Sequence, residues 1–442
     1  MNAAMIAPFS RAKVAFVFSV NPLFAVFSRA TLVAVVLFCT TTGVVAVENG
    51  PTPGPFAPML QSLVDRRVVA GVVVLVADRE KVLDVEAAGF SSLKKKTPMR
   101  TDALFWIASM TKSMTGTALM MLVDEGKLSL DDPVEKFLPE FKGQMVEQEG
   151  IEMHPPRHPI TVREVMDHTS GLVTPQHPAL KRAYSLKENV AQFAKLPMQW
   201  EPGTKFQYNN CGINTGARVL EVVSGVPYAE FMQQRLFTPL GMRDTTFWPS
   251  EEQASRLASS TRLNADKSGL EDLAFNKTLT QPLIDRIRQG HPAPVRLMEN
   301  FGLSPIMDAV NHYAEAAGGL YSTAEDTGKF CQMLLNGGTW QGRRYLSAEA
   351  VKQMSAIQTG DVPVNPQEGY GVGWFVKLRA DEGPAIGSFG HRGARKTVMW
   401  IDPKNGLTLV LMVQCWELTG EQQKELYGTF MKAAVEKYGR AR

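Results

Sequence analysis

Ser109 and Lys112 stand three residues apart in the stretch Phe105-Trp106-Ile107-Ala108-Ser109-Met110-Thr111-Lys112. Small and helix-favouring residues follow. Among them Met114, Ala118, Met121 and Leu122 recur at i, i+4, i+7 and i+8, the pattern of one buried helical face. Residues at i and i+3 share a face, so the Ser109 hydroxyl and the Lys112 ammonium come within hydrogen-bonding reach. A serine hydroxyl is a weak nucleophile until a neighbour takes its proton, and a buried lysine can take it or support another base that does. The chemistry implied is covalent acyl transfer. The pair alone decides little, because roughly one or two Ser-x-x-Lys matches arise by chance in a chain this long. Beyond residues 1–46, two further matches, Ser91/Lys94 and Ser92/Lys95, lie in the charged turn Ser91-Ser92-Leu93-Lys94-Lys95-Lys96 with no apolar helix behind them, and read as solvated.

A nucleophile on a helix needs a scaffold to hold it, and both ends of the chain supply one. Residues 56–67 predict a short helix, and 70–77 with 81–89 predict a β-hairpin turning at Asp78-Arg79-Glu80. The Ser109 helix ends near Gly126. From about 131 to 318 the pattern changes to helices between Pro- and His-bearing loops: 160–166, with Thr161 as N-cap and Glu164 completing a capping box, then 212–224 and 228–238. Residues 250–310 give no readable pattern. A helix over 324–336 leads into strands at 370–378, 385–389, 396–402 and 407–413. The last two are joined by the turn Pro403-Lys404-Asn405-Gly406, and a helix over 420–438 closes the chain. The fold class is therefore α/β of the α+β type. One antiparallel sheet is built from the N- and C-terminal segments and flanked by helices, with a mainly helical lobe inserted. The sheet lobe covers about 56–125 and 318–442, and the helical lobe about 126–317.

The 442 residues suffice for one large domain or two lobes, and 44% hydrophobic with 21% charged residues is ordinary for a soluble globular chain. Residues 1–46 read as an export signal or N-terminal anchor: Arg29 precedes the apolar run Ala30 to Phe38, and Val44-Val45-Ala46 offers small residues for cleavage after Ala46. This predicts an exported, periplasmic or secreted protein of which 47–442 is the working domain. It contacts a membrane only if the leader stays uncleaved. Three of the 47 basic residues (Arg11, Lys13 and Arg29) lie in that leader, which has no acids, so 44 basic residues face 44 acidic ones in the remainder. That balance offers nothing to nucleic acid. Cys211, Cys331 and Cys415, odd in number and far apart, predict buried apolar residues rather than a disulfide framework.

Two further elements join Ser109-Met110-Thr111-Lys112. One is Tyr208-Asn209-Asn210; the other is Gly390-His391-Arg392-Gly393, between two strand signals. With these three in this order, the chain resembles the serine β-lactamase and penicillin-binding protein superfamily, in the class C β-lactamase-like branch of esterases and D-amino-acid peptidases. Asp167-His168-Thr169-Ser170-Gly171-Leu172, Gly318-Gly319-Leu320-Tyr321-Ser322-Thr323 and Tyr370-Gly371-Val372-Gly373-Trp374 extend the likeness over roughly 60–415. The resemblance implies these roles. Ser109 attacks a carbonyl and becomes an acyl-enzyme. Lys112 keeps the site positive and relays the serine proton with Tyr208, whose phenolate also activates the deacylating water. Asn210 binds the ester or amide side of the substrate, and the Ser109 and Ala394 N–H groups, next to Gly393, form an oxyanion hole. No cofactor and no metal is implied. The substrate is a small-molecule ester or amide or a cell-wall peptide, with an esterase reading first. A D-Ala-D-Ala carboxypeptidase, D-aminopeptidase or weak β-lactamase comes second, and a scaffold protein without turnover is the non-enzyme rival.

Blander readings apply elsewhere. His168 reads as structural. His154 and His158 have metal-like spacing, but Pro155, Pro156 and Pro159 forbid the helix that would converge them. Gly369-x-Gly371-x-Gly373 sits in a strand signal and is not a dinucleotide loop, and no Gly-x-Ser-x-Gly elbow occurs. Two departures from the family pattern carry expectations. His391 stands where lysine is usual, so the charge supporting Tyr208 is expected to titrate near neutrality. Arg395 lies two residues past Gly393. On a strand it shares that residue's cleft-facing side and is positioned to grip a substrate carboxylate, while Lys396 faces solvent. The assignment of the nucleophile is directly testable: Ser109→Ala should abolish labelling by a fluorescent fluorophosphonate, whereas Ser91→Ala and Ser92→Ala should label like wild type. An acyl adduct on the Ser109→Ala protein, seen by intact mass, contradicts it.

Overall fold

The computed structural model describes residues 54–439 apart from 149, 151, 182, 267–268 and 274–312. The expected leader, its cleavage point and most of the unread 250–310 stretch lie outside these residues. Among the described residues, no helix is long and apolar enough to cross a membrane. The sheet is antiparallel and eight-stranded. Its order is β4 (Glu368–Tyr370), β5 (Phe375–Lys377), β6 (Phe389–Arg392), β7 (Val398–Asp402), β8 (Leu407–Met412), β1 (Gly71–Ala77), β2 (Val82–Ser92) and β3 (Thr97–Pro98). The helices that matter for the site are α1 (Ala57–Asp65), α2 (Thr111–Asp124), α3 (Val162–Met166), α4 (Asn210–Ser224), α5 (Ala324–Leu335) and α6 (Gly420–Tyr438).

The N-terminal hairpin joins the C-terminal strands through β1, with Val74 opposite Leu411 and Val76 opposite Leu409. Every residue of β1 is buried, as expected of a strand covered on both faces. Val72, Val74 and Val76 point into one layer with Leu60 and Leu63 of α1 and Leu426 and Phe430 of α6. Val73 and Leu75 point into the other, with Phe330 and Met333 of α5 and Met114 and Ala118 of α2. Alternation along one valine-rich strand thus ties the terminal helices to one face and the site-bearing helix to the other.

In the helical lobe, Thr161 caps α3 with the expected capping box. The helix expected over 228–238 forms in pieces: Tyr228–Met232 is α-helical, Gln233–Phe237 is a π-turn, and Thr238–Leu240 closes it before Gly241. The single strand expected at 370–378 also divides. β4 stops at Tyr370, and Gly371 to Trp374 form a turn closed by Gly371 N–H donating to Trp374 C=O at 2.7 Å. The turn is where α2 meets the sheet backbone to backbone. A Cβ on Gly373 (φ +77°) would come 2.5 Å from the Lys112 carbonyl, and one on Gly116 would come 2.2 Å from the Val372 carbonyl.

That contact reverses a helix-propensity rule. Alanine is the better helix former by about 1 kcal/mol, yet Gly116→Ala forces backbone apart at an overpacking cost of about 1–3 kcal/mol. Gly116→Ala should lower the urea midpoint, and a raised midpoint contradicts the packing described here.

Candidate active site

The chain reaches Ser109 through a short strand, Phe105–Trp106, paired with Tyr321–Ser322, and then a 3-10 turn over Ala108–Met110 that runs straight into α2. Ala108 sits at φ +45°, a left-handed conformation unusual for a residue with a Cβ. Ser109 is half-buried, while every residue from Thr111 to Leu122 is buried. The helix is therefore central rather than one-faced, and its hydroxyls need internal partners. Thr115 Oγ1 lies 3.0 Å from Thr111 C=O, Thr117 donates to Ser113 C=O at 2.8 Å, and Ser113 to Gly373 C=O at 2.8 Å.

Lys112, fully buried, donates from Nζ to Ser109 Oγ at 3.1 Å and to Ala317 C=O at 2.7 Å, and lies 4.6 Å over the Tyr208 ring. The Ala317 carbonyl belongs to a segment stitched along the start of α2. Ala316 C=O accepts from Thr115 Oγ1 (2.7 Å), Gly318 C=O from Trp106 Nε1 (2.6 Å), and Leu320 N–H donates to Thr111 Oγ1 (3.2 Å). Glu315, buried in the same segment, accepts from Asn214 Nδ2 at 3.1 Å. Burial raises its carboxyl above the usual range, opposed by nearby Lys112, Asn214 and backbone N–H groups.

Tyr208 is placed by the start of α4. Asn209 caps that helix by accepting from Cys211 N–H at 2.8 Å and anchors its own side chain on Leu172 and Val173 C=O. Asn209 is thus structural, and half-buried Asn210 is the Asn left at the site. The Tyr208 ring is 38% exposed, stacks on Phe375 and lies 4.5 Å from the His168 ring. Gly393 packs against the strand end before Ser109, where a Cβ would come 2.5 Å from Ile107 C=O. Thr397 Oγ1 donates to the same carbonyl at 3.3 Å, so exposed Ala394 is held beside the Ile107–Ser109 segment.

Three expectations need correcting. His391 does not carry a charge that titrates near neutrality: it is 1% exposed, and burial first, then Lys112, holds its imidazole well below the ordinary value. Arg395 does not share a strand face with Gly393, because β6 ends at Arg392. Residues 393–397 form a turn, with Lys396 N–H donating to Gly393 C=O and Lys396 at φ +70°. Strand alternation therefore does not apply. The Arg395 guanidinium is buried between the rings of Trp416 (3.3 Å) and Trp106 (4.9 Å). Lys396, expected in solvent, donates to Gln423 of α6.

Sequence reasoning missed Tyr370 and Glu315 and set His168 aside as structural. His168, at φ +70° and buried, takes a hydrogen bond from Asn209 N–H on Nδ1 and meets the Tyr370 hydroxyl with Nε2 at 3.1 Å. The same hydroxyl lies 3.2 Å from His391 Nε2. The signals were present as Tyr370 in Tyr-Gly-Val-Gly-Trp and as one acid in the Ala/Gly run 314–319.

The chain has relatives in both sequence and fold. The family model described as Beta-lactamase matches residues 56–429. Protein Rv1367c of Mycobacterium tuberculosis is 30% identical over 384 residues, covering 80% of this chain and 88% of that protein. Esterase EstB of Burkholderia gladioli is 30% identical over 280 residues, covering 60% and 65%. The solved structure of EstCE1, a hydrolase with promiscuous acyltransferase activity, superposes with a TM-score of 0.66 at 23% identity, covering 86% of this chain and 97% of that one, and so shares the fold.

Beside His168, Asp167 offers a pH test. Burial pushes its carboxyl up to about 7, although Thr169 donates to it through both N–H and Oγ1. The folded chain therefore holds this proton after the unfolded chain has lost it, and stability falls as pH rises from about 4 to about 7. His168 and His391, both depressed, act oppositely by losing stability below the unfolded imidazole value, so a difference measurement is needed. Urea unfolding at about pH 5 and about pH 8 should show Asp167→Asn gaining on wild type by a few kcal/mol at the higher pH. A pH-independent difference contradicts this.

Proposed function

The chain belongs to the β-lactamase family of serine hydrolases, and we propose that it hydrolyses small esters through an acyl-enzyme on Ser109. The observation that carries this reading is the buried Lys112 Nζ, 3.1 Å from Ser109 Oγ and poised over the Tyr208 ring. In this reading the base is Tyr208, and Lys112 holds the serine hydroxyl through its 3.1 Å contact.

The steps follow from this assignment. Ser109 Oγ adds to the ester carbonyl as its proton passes to Tyr208, and the oxyanion lies against the Ser109 and Ala394 N–H groups. Collapse expels the alcohol, which takes the proton back from Tyr208. A water then gives its proton to Tyr208 and attacks the acyl carbon, and Ser109 Oγ leaves protonated. Asn210 lies beside Tyr208 to orient the group next to the scissile bond. The neutral setting of His391 and the enclosed position of Arg395 favour uncharged esters over substrates that need a carboxylate anchor. Export follows the leader: the apolar run and the small residues before Ala46 support a protein that works outside the cytoplasm.

The test compares a short-chain p-nitrophenyl ester with a peptide ending in D-Ala-D-Ala, alongside labelling by a fluorescent fluorophosphonate and a fluorescent penicillin. The ester should win in kcat/KM by at least about tenfold, or about 1.4 kcal/mol in transition-state binding. A reversed ranking replaces the esterase reading with that of a carboxypeptidase.

A further inference from the structure

Behind Tyr208 lies a buried chain of three side chains that the acyl-transfer steps do not use. His168, Tyr370 and His391 are 2%, 0% and 1% exposed, and the Tyr370 hydroxyl bridges the two Nε2 atoms at 3.1 and 3.2 Å. Where each proton sits follows from counting donors. Asn209 N–H, 3.1 Å from His168 Nδ1, can only donate. His168 Nδ1 is therefore the acceptor, and its one proton is on Nε2, pointing at the Tyr370 oxygen.

The Tyr370 hydrogen is then left with one acceptor among its described partners, His391 Nε2. If that nitrogen accepts, the proton of neutral His391 lies on Nδ1, which sits 2.9 Å from Arg392 C=O. Arg392 N–H, also 2.9 Å from Nδ1, competes for that atom as an acceptor. The buried hydroxyl decides the contest, because Tyr370 is fully enclosed and its O–H has no other acceptor among its described partners, whereas the Arg392 N–H contact is only part-buried.

We propose that Tyr370 is a positioning residue that sets opposite tautomers on the two histidines, so that both ring nitrogens of His391 are engaged within the protein and it has no proton to give to substrate. The bonds run one way, from Asn209 N–H through His168, Tyr370 and His391 to the Arg392 carbonyl. The charged and titratable groups around the chain suit uncharged imidazoles. Lys112 approaches from α2 and Asp167 from the end of α3, and Tyr208 precedes α4. Arg392 on β6 is paired with Glu368 of β4. Lys112 and burial both disfavour a second positive charge here. The inference deepens the esterase reading, because a third element without charge offers no electrostatic anchor to a substrate carboxylate. It does not need that reading to be right.

The decisive measurement needs no activity. In the full-length protein labelled with 15N-histidine, ring-nitrogen spectra should show two non-titrating neutral imidazoles, one protonated on Nε2 and one on Nδ1. They are assigned by loss of a signal in His168→Asn and His391→Asn. Two signals of the same tautomer, or a His391 signal that takes up a proton near neutrality, overturn the proposal. In Tyr370→Phe the donor to His391 Nε2 is gone. His391 should then shift toward the Nε2-protonated form, and kcat should fall about tenfold or more with KM nearly unchanged. A variant that is merely less stable but keeps the wild-type His391 tautomer also overturns it.

Discussion

A lysine ammonium with no exposure to solvent is the constraint around which this structure is arranged. Removing that charge from water is tolerable only when acceptors are fixed around it, and Lys112 has three fixed neighbours. Ser109 Oγ and Ala317 C=O accept from it, and the Tyr208 face lies above it. Each comes from a different part of the chain, so satisfying one side chain brings the helix start, the 313–322 segment and the beginning of α4 to a single point. The hydrogen bonds that Thr115 and Trp106 donate to that segment, and the one Thr111 accepts from it, fix the Ala317 carbonyl in place, so it need not be ordered when substrate arrives.

Close backbone approach serves the same end. Gly116 lets the Val372 carbonyl rest on α2, and Gly393 lets the turn after β6 rest on the Ile107 carbonyl. The first contact fixes the helix against the sheet, and the second fixes the proposed oxyanion donor against the nucleophile. Neither position tolerates a side chain, which couples the precision of the site to the packing of two main chains rather than to adjustable rotamers.

Most of the architecture was legible because it rests on local periodicity. The 70–77 and 407–413 runs alternate or continue as buried strands must, and Thr161 with Glu164 spells a capping box. Ser109, Lys112 and Tyr208 were singled out because three short motifs occur in one order, although Ser-x-x-Lys alone is common, and the fold brings the three side chains together. What escaped was set by tertiary contact. The break of the 370–378 strand depends on α2 passing over Gly373, which no local pattern records. Arg395 was misplaced because the alternation rule was applied to residues that form a turn, where Lys396 at φ +70° reverses the chain. The 228–238 helix was read as continuous because a π-turn leaves the apolar spacing nearly intact.

His391 shows most clearly why residue type underdetermines function. An imidazole in place of an amine looks like a weaker cation only if water can reach it. Enclosed behind Tyr208, with Lys112 nearby, it is held uncharged and can only accept or donate a hydrogen bond. The positive charge beside Tyr208 then falls to Lys112, whose Nζ lies 4.6 Å over the ring. A second cation at position 391 would instead compete with Lys112 for the same small volume, raising the cost of burying both. Between the two, the positive charge stays at Lys112, beside Ser109, and His391 adds none.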